Sequence, residues 1–254
     1  MDFSPEDIDG ISLSELFKGK KRKAKKAPAK EKKVKKTRQA FTTKGKRRVE
    51  PDPTDSMQRF LADLPADNSI IVGGIDPGVN GALALLHPCN PAKSWAFSLP
   101  HFKIAHQEKK KGKTRYYTQP DYVKIWEILS PLVSLGSRVV FCVEDVRSRP
   151  ADTPLTALAI GKAVGMWPLF FVSHGWRYST LYPLVWKKVM GLIGYDKEAS
   201  RSLAQTLFLG AHLSLKKDEG KAEALLIAEA YKRKELNNNV GSNSRRKSKS
   251  TKRA

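Results

Sequence analysis

Cysteine is scarce in this chain of 254 residues, where only Cys89 and Cys142 occur. Two cysteines provide neither a disulfide framework nor the spaced clusters of a structural zinc site, which favours a reducing compartment. Long apolar runs are also lacking, since none approaches the ~18 consecutive residues that span a bilayer. The sequence therefore predicts a fold without disulfide cross-links and no association with a membrane.

Acidic residues are almost missing from two long stretches near the chain ends. Residues 18–48 contain seventeen Lys and Arg against one acid, and residues 245–253 contain six basic residues and no acid. Because such stretches cannot bury enough apolar surface to fold, we predict disordered basic arms at residues 1–68 and 237–254. A single folded domain is then expected at residues 69–236.

The predicted folded part is basic in its own right, with a net charge of +9 over residues 70–242. Polyanions are the natural partners of such a surface, and nucleic acid is the commonest of them. The run Lys-Lys-Arg-Lys-Ala-Lys-Lys at residues 20–26 is typical of a nuclear localisation signal or a nucleic-acid-binding arm. Residues 1–17 hold five acids and no base, which is unlike the acid-poor transit peptides of organelles.

The segment at residues 70–86 organises the rest of the chain. An apolar strand, a turn at Pro77 and Gly78, and a second apolar strand predict a β-hairpin. Asp76 ends the first strand. An ionised carboxylate at the end of a buried strand must be paired or must face a cation, although Asp-Pro-Gly also forms ordinary turns.

Further elements follow at the spacings of an α/β domain. Residues 94–99 predict a third strand, residues 101–115 a basic loop and residues 119–135 a helix. The continuous apolar stretch at residues 138–143 is typical of a central strand buried on both faces. The remaining predictions are a small-residue helix at 153–166, a fifth strand at 169–173, and helices at 182–190, 196–208 and 217–233. This order predicts a ribonuclease H-like α/β fold, a mixed five-stranded sheet flanked by helices.

Four carboxylates are candidates for one site. Glu144 ends the strand that neighbours the first strand in this fold, so it is expected close to Asp76. Glu219 and Glu223 are four residues apart and share one helical face, although Glu219 also suits the helix dipole and Asp218 suits an N-cap. Converging carboxylates would hold two Mg²⁺ ions, or Mn²⁺ in their place, about 4 Å apart and would support phosphodiester hydrolysis.

Between residues 70 and 231 the chain resembles the RuvC-type Holliday junction resolvases, and most closely the plant monokaryotic chloroplast resolvases. The motifs that carry the resemblance are Gly-Ile-Asp-Pro-Gly at 74–78, Val-Glu at 143–144, Val-Trp-Lys at 185–187, Asp-Lys-Glu-Ala-Ser-Arg at 196–201 and Ala-Glu-Ala-Leu-Leu-Ile-Ala at 222–228. The resemblance implies a crossover junction endodeoxyribonuclease, a homodimer that resolves four-way DNA junctions by paired symmetric nicks in recombination and repair. It also points to the chloroplast, so chloroplast and nucleus both stay open.

The resemblance assigns catalytic and metal-binding roles to Asp76, Glu144 and Glu223. A fourth position, often His or Asp in the family, falls on Glu219, where a carboxylate would serve chiefly as a metal ligand. Basic residues near the metals correspond to Lys187, Lys197 and Arg201.

Aromatic and basic residues outside these motifs are candidates for reading the branch point. Trp176 and Arg177 follow the predicted fifth strand, which would place them at the acidic end of the sheet, where unstacked bases could meet them. The basic loop at residues 101–115, with Tyr116 and Tyr117 after it, is a second candidate.

Two other functions compete with a resolvase. The hairpin around Asp76 also resembles the phosphate-binding hairpin of actin-like ATPases and sugar kinases, but these need a second such hairpin and a second domain, for which residues 90–242 leave no room. A catalytically silent DNA-binding paralogue is the other alternative, because Glu219 departs from the family pattern and the basic tails would supply affinity.

Overall fold

The computed structural model describes residues 51–78, 81–110 and 113–236, and the side chains of residues 106–110, 113–115, 117 and 236 are not among those described. The basic run at residues 20–26 and most of both predicted arms lie outside this part of the chain. The strands are β1 (Ile71–Asp76), β2 (Ala82–Leu86), β3 (Trp95–Ser98), β4 (His101–Lys110), β5 (Lys113–Pro120), β6 (Val139–Glu144) and β7 (Arg177–Leu181). The α-helices are α1 (Pro53–Ala62), α2 (Tyr122–Leu129), α3 (Pro154–Ser173), α4 (Pro183–Val189), α5 (Lys197–Leu207) and α6 (Glu219–Tyr231).

Five strands form one mixed sheet in the order β3-β2-β1-β6-β7. The first three pair antiparallel, as a hairpin and a meander, whereas β6 and β7 run parallel to β1. Helices α4, α5 and α6 pack on one face of the sheet, and α1, α2 and α3 on the other. The predicted ribonuclease H-like architecture is confirmed.

Helix α1 lies within the stretch that the sequence analysis assigned to an arm. Asp52 caps it by accepting a hydrogen bond from the backbone N–H of Thr54 at 2.7 Å. Its Met57 and Phe60 are buried in the core together with β1 and α2. The folded part of the chain therefore includes residues 53–62, and truncations should end before Pro53.

The predicted basic loop at residues 101–115 is wrong, because β4 and β5 form a two-stranded antiparallel ribbon there. Polar composition suggested a loop, since a strand in a sheet usually shows one buried face. A two-stranded ribbon pairs the backbone groups that face each other and leaves the outer ones to water, so it can form without such a face.

The predicted fifth strand at residues 169–173 is also wrong, because these residues form the last turns of α3. Trp167, Phe170 and Phe171 lie at helical spacing and are the buried residues of this helix. A short apolar run fits a buried strand or a buried helix equally well, and Pro168 falsely indicated a break. The edge strand is β7 instead.

Helix α3 is longer and more apolar than the sequence analysis expected. An 18-residue stretch within it has a mean hydropathy of 1.6, which by length and composition would suffice to cross a bilayer. Interruptions such as Lys162 hid this run. Most of the helix is exposed, including Leu155, Leu158 and Leu169.

Gly74 allows α6 to lie directly against β1. A Cβ at this position would overlap the carbonyl oxygen of Ala224 and come within 2.7 Å of the backbone nitrogen of Ala228. We expect Gly74→Ala to reduce the free energy of unfolding by about 1–3 kcal/mol, as overpacking typically does. Chemical denaturation measures this change.

Gly161→Ala is the matched control for that substitution. A Cβ at Gly161 would meet no described atom within 4 Å, and alanine favours a helix over glycine by up to about 1 kcal/mol. Equal destabilisation by both substitutions would contradict the role given to Gly74.

Candidate active site

Asp76 and Glu144 leave the sheet side by side. Strands β1 and β6 are parallel neighbours with Ile75 opposite Val143, so the next residue on each strand lies at the same edge. The carboxylate of Asp76 accepts a hydrogen bond from the backbone N–H of Gly78 through Oδ1 at 3.0 Å. The turn after β1 thus orients the first carboxylate.

Glu223 reaches the same edge from α6, and its side chain is buried. Its Oε2 lies 3.6 Å from Nζ of Lys197, which stands at the start of α5. Glu219, one turn earlier on α6, is half-buried. It contributes to the electrostatic field at Lys197, so it lies on the same side as the other acids.

The pKa of the Glu144 carboxyl is strongly raised. Burial is the main cause that raises its pKa to about 7, and the nearby carboxylates of Asp76 and Glu223 add to the rise, whereas a hydrogen bond from Trp186 and the charge of Lys187 act against it. Carboxylates that raise one another's pKa must share one region of low dielectric constant. The three acids therefore form one electrostatic cluster.

The other two carboxyls are shifted in the same direction. Burial raises the pKa of Asp76, with the backbone N–H of Gly78 and then Lys197 opposing it. Burial likewise raises the pKa of Glu223, with Lys197 opposing and Asp76 adding to the rise. Burial acts to lower the pKa of Lys197, but Glu223, Asp76 and Glu219 outweigh it and raise that pKa. The three buried carboxylates thus face only two ammonium groups, those of Lys197 and Lys187, among the described residues.

Trp186 on α4 is the partner of Glu144 that the sequence analysis did not predict. Its indole Nε1 donates a hydrogen bond to Glu144 Oε1 at 2.7 Å, and the ring is fully buried. Lys187 follows it, with Nζ 5.3 Å from the centre of the indole ring. The Val-Trp-Lys motif indicated this segment, but nothing in its spacing showed that the tryptophan holds a carboxylate.

We expect Trp186→Phe to remove this hydrogen bond and to reduce the free energy of unfolding by about 1–3 kcal/mol, the cost of an unsatisfied buried acceptor. The pKa of Glu144 should rise, because Trp186 stabilises the ionised form. Carboxyl NMR titration and thermal unfolding measure the two effects. Trp167→Phe is the control, since its Nε1 has no hydrogen-bond partner among the described residues. An unchanged Glu144 pKa in Trp186→Phe would contradict this role.

Two predicted DNA contacts lie away from the acids. Trp176 is 3% exposed and packs in the core, and Arg177 donates from Nη2 to the carbonyl of Ser137 at 2.8 Å. Arg177 is opposite Val140 on β6, four residues before Glu144, so both residues belong to the other end of the sheet. Their predicted place beside the acids is wrong. The prediction put them after a strand at residues 169–173, but the edge strand is β7, which begins at Arg177.

Arg201 is largely buried rather than available to a ligand. Its side chain is 17% exposed, donating from Nη1 to the carbonyl of Ser214 at 2.8 Å and pairing with Glu198. These contacts fix α5 to the segment before α6. Of the three predicted basic residues, only Lys187 and Lys197 lie beside the acids.

Asp218 and Lys221 form a buried ion pair that the sequence analysis missed. Asp218 occupies the N-cap position of α6 as predicted, but its carboxylate makes no capping hydrogen bond to that helix. It instead accepts from the backbone N–H of Leu215 at 2.9 Å and pairs with Lys221 Nζ at 3.1 Å. The pair supports the start of α6 and leaves Glu219 and Glu223 as the acids of the site.

The donor set suits a hard divalent cation. Asp76, Glu144 and Glu223 supply only carboxylate oxygens, which Mg²⁺ and Mn²⁺ prefer, and their mutual repulsion would be relieved by added positive charge. Among the described residues, no three such side chains yet stand close enough to hold an ion. The carboxylate oxygens fit a divalent cation. Because Lys197 now pairs with Glu223, the carboxylate side chains would need to move closer together to hold the ion.

No family model and no curated protein matches this chain. Among solved structures, it is similar to Thermus thermophilus RuvC in complex with a Holliday junction substrate, at 17% identity and a TM-score of 0.37, over 65% of this chain and 96% of that one. It is also similar to Thermus thermophilus RuvC alone, at 20% identity and a TM-score of 0.36, with the same coverage. Likenesses this distant leave the residues of the site to be judged on their own geometry.

Proposed function

We propose that this protein is a divalent-metal-dependent endonuclease that resolves four-way DNA junctions by paired symmetric nicks. The observation that carries the proposal is the cluster of Asp76, Glu144 and Glu223, which three different elements bring to one edge of the sheet. Gathering buried carboxylates with so little compensating charge is unfavourable for a purely structural site. A bound cation would compensate the charge of the carboxylates and would bind an anionic substrate.

Asp76, Glu144 and Glu223 would hold the metal, with Glu219 as the fourth candidate ligand. Bound Mg²⁺ or Mn²⁺, two per site, would supply Lewis-acid activation of water and stabilisation of the leaving 3′-oxygen. The Gly78 N–H and the Trp186 indole keep Asp76 and Glu144 oriented.

Lys187 and Lys197 are the cationic groups beside these acids. The charge of Lys187 acts on Glu144 and Glu223, and that of Lys197 on Asp76 and Glu223. Both are suited to hold a scissile phosphate next to the carboxylates, since ammonium groups bind phosphate as point charges. When Lys197 turns from Glu223 to phosphate, Glu223 becomes available as a ligand.

DNA with a branch point is the proposed substrate, and the support comes from the sequence motifs together with the basic surface. The compartment is proposed only as one that contains DNA, either chloroplast or nucleus. The role of crossover junction endonuclease in recombination and repair follows from the same motifs.

A nicking assay tests this function. The full chain is incubated with a synthetic four-way junction and, separately, with a linear duplex, in the presence of Mg²⁺, Mn²⁺ or EDTA. We expect paired nicks at symmetric positions of the junction that require a divalent cation. Tight junction binding without nicking under any metal condition would favour the catalytically silent paralogue instead.

A homodimer is part of the proposal, because symmetric nicks need two sites. The exposed apolar face of α3 is the surface we assign to the second copy, including Leu158, which is 55% exposed, and Leu169, which is 63% exposed. Such apolar surface on a long helix is typical of an interface between subunits.

We expect Leu158→Glu combined with Leu169→Glu to convert a dimer into a monomer, as measured by sedimentation equilibrium. Leu209→Glu is the control, because Leu209 is equally apolar and 76% exposed outside α3. A monomeric parent protein would contradict the dimer, and co-sedimentation with uncharged lipid vesicles that the double variant loses would show that α3 contacts a membrane instead.

A further inference from the structure

The ribbon formed by β4 and β5 rises from the edge of the sheet that carries the acids. Ser98, at the end of β3, is opposite Ala82 on β2, and Ala82 is opposite Asp76 on β1. Neighbouring strands are ~4.8 Å apart, so the chain leaves β3 within about 10 Å of the Asp76 backbone. The ribbon begins three residues later, at His101.

The ribbon is a projection rather than a part of the core. Its two strands pair with each other from His101 opposite Pro120 to Lys110 opposite Lys113, with a bulge between Ala105 and Lys109. Asp121 N–H donates to the carbonyl of Pro100 at 2.8 Å and closes the base. Ten residues of strand extend about 30 Å, which is the length of about nine base pairs of duplex DNA.

Near its base the ribbon exposes side chains suited to nucleic acid. Tyr116 is 61% exposed and Phe102 is 44% exposed. Lys103, which lies on β4 before the bulge, is exposed as well. Register places Phe102 and Tyr116 on opposite faces, because Tyr116 pairs with Ala105, three residues along β4. Over residues 101–120 the sequence holds six Lys and Arg against one acid.

Exposed aromatic residues on a basic ribbon are suited to bind DNA. Bases that are unstacked can stack on aromatic rings, and the exposed Lys103 suits the phosphate backbone of a duplex. A protein partner would need a larger apolar surface than these two rings, and the charge of the ribbon opposes a basic partner. Because the ribbon starts close to the carboxylates, it would contact the same DNA molecule that binds at the candidate active site.

We infer that the β4–β5 ribbon is a DNA-binding arm, in which Phe102 and Tyr116 contact unstacked bases at the branch point and Lys103 contacts the phosphate backbone. This inference rests on the proposed function, which supplies the branched substrate. The aromatic residues then determine the preference for branched DNA, whereas the basic residues raise affinity for any duplex.

Binding is measured on the full chain without divalent cation, by fluorescence anisotropy, for a synthetic four-way junction and a linear duplex at several salt concentrations. Phe102→Ala combined with Tyr116→Ala should lower the junction-to-duplex affinity ratio about tenfold. Lys103→Glu should weaken binding to both DNAs and reduce the slope of log affinity against log salt by about 1.

Two controls match these variants. Tyr178→Ala removes a tyrosine that is 39% exposed on β7, and Arg59→Glu reverses an exposed charge on α1. Both should bind like the parent protein, and thermal unfolding checks that each variant is folded. Equal losses in the controls and the ribbon variants would overturn the inference.

Nicking of the parent protein separates this inference from the proposed function. If the parent nicks junctions but the folded ribbon variants keep its affinity ratio and salt slope, the inference is wrong and the proposed function stands. If the parent does not nick with any metal but the ribbon variants lose their preference for the junction, the arm is supported and the nuclease proposal fails.

Discussion

Asp76→Asn, Glu144→Gln and Glu223→Gln should each abolish junction cleavage while leaving junction binding intact or tighter. Binding depends on basic residues, whereas these acids place negative charge beside an anionic phosphate. Loss of metal assistance costs several kcal/mol of transition-state stabilisation, which corresponds to roughly a thousandfold in rate. Single-turnover nicking and anisotropy binding measure the two quantities separately.

Glu198→Gln is the matched control, because Glu198 neighbours Lys197 on α5 but its side chain is 73% exposed. Its cleavage rate should stay close to that of the parent protein. Glu219→Gln should reduce the rate less than Glu223→Gln, since Glu219 is only half-buried and matches the resolvase motif least well. A near-parental rate for any of the three core acids would remove that residue from the site.

Without divalent cation, the protein should lose stability as the pH rises from about 4.5 to about 7. Glu144 has an ordinary pKa of 4.5 in the unfolded chain and a pKa of about 7 in the folded one. Between these values the folded state binds more protons than the unfolded state, so the free energy of unfolding falls as pH rises. A shift of this size corresponds to about 3 kcal/mol, fully lost above pH 7.

Glu144→Gln should remove the part of this pH dependence that Glu144 contributes, while Asp76 and Glu223 keep theirs, and should make the metal-free protein more stable than the parent at pH 8. Near pH 4.5 the two proteins should be equally stable, because Glu144 is then protonated in the folded state. Urea denaturation across this pH range, in EDTA, measures the difference. Parallel stability curves for the two proteins would show that Glu144 ionises normally.

The strands that carry Asp76 and Glu144 could be predicted because they are buried on both faces. Burial on both faces leaves a continuous apolar run in the sequence, and a carboxylate that ends such a run stands out. Glu223 could be predicted because Ala and Leu surround it at helical spacing. These three residues are also those that the structure brings together.

The ribbon and β7 could not be predicted by the same signal. Strands β4 and β5 pair with each other outside the main sheet, so their sequence carries no apolar face. Strand β7 reads Arg-Tyr-Ser-Thr-Leu, with only Leu181 buried, and the more apolar end of α3 was mistaken for it. Because Trp176 and Arg177 were placed by that mistake, their predicted site was wrong as well.

Contacts between side chains that are distant in the sequence could not be predicted for a different reason. Trp186 and Glu144 are 42 residues apart, and their hydrogen bond depends on how α4 packs on β6. Arg201 and Lys187 have the same charge in the sequence, but only the packing shows that the Arg201 guanidinium is used by Ser214. Local spacing cannot distinguish a structural cation from one beside the acids.

The cation site is the central claim, and anomalous diffraction from crystals grown with Mn²⁺ tests it most directly. The expected result is anomalous density among the carboxylates of Asp76, Glu144 and Glu223, with Lys197 displaced from Glu223, and no such density in crystals of Glu223→Gln. Density confined to other acids of the chain, with Lys197 still against Glu223 at saturating Mn²⁺, would contradict the claim.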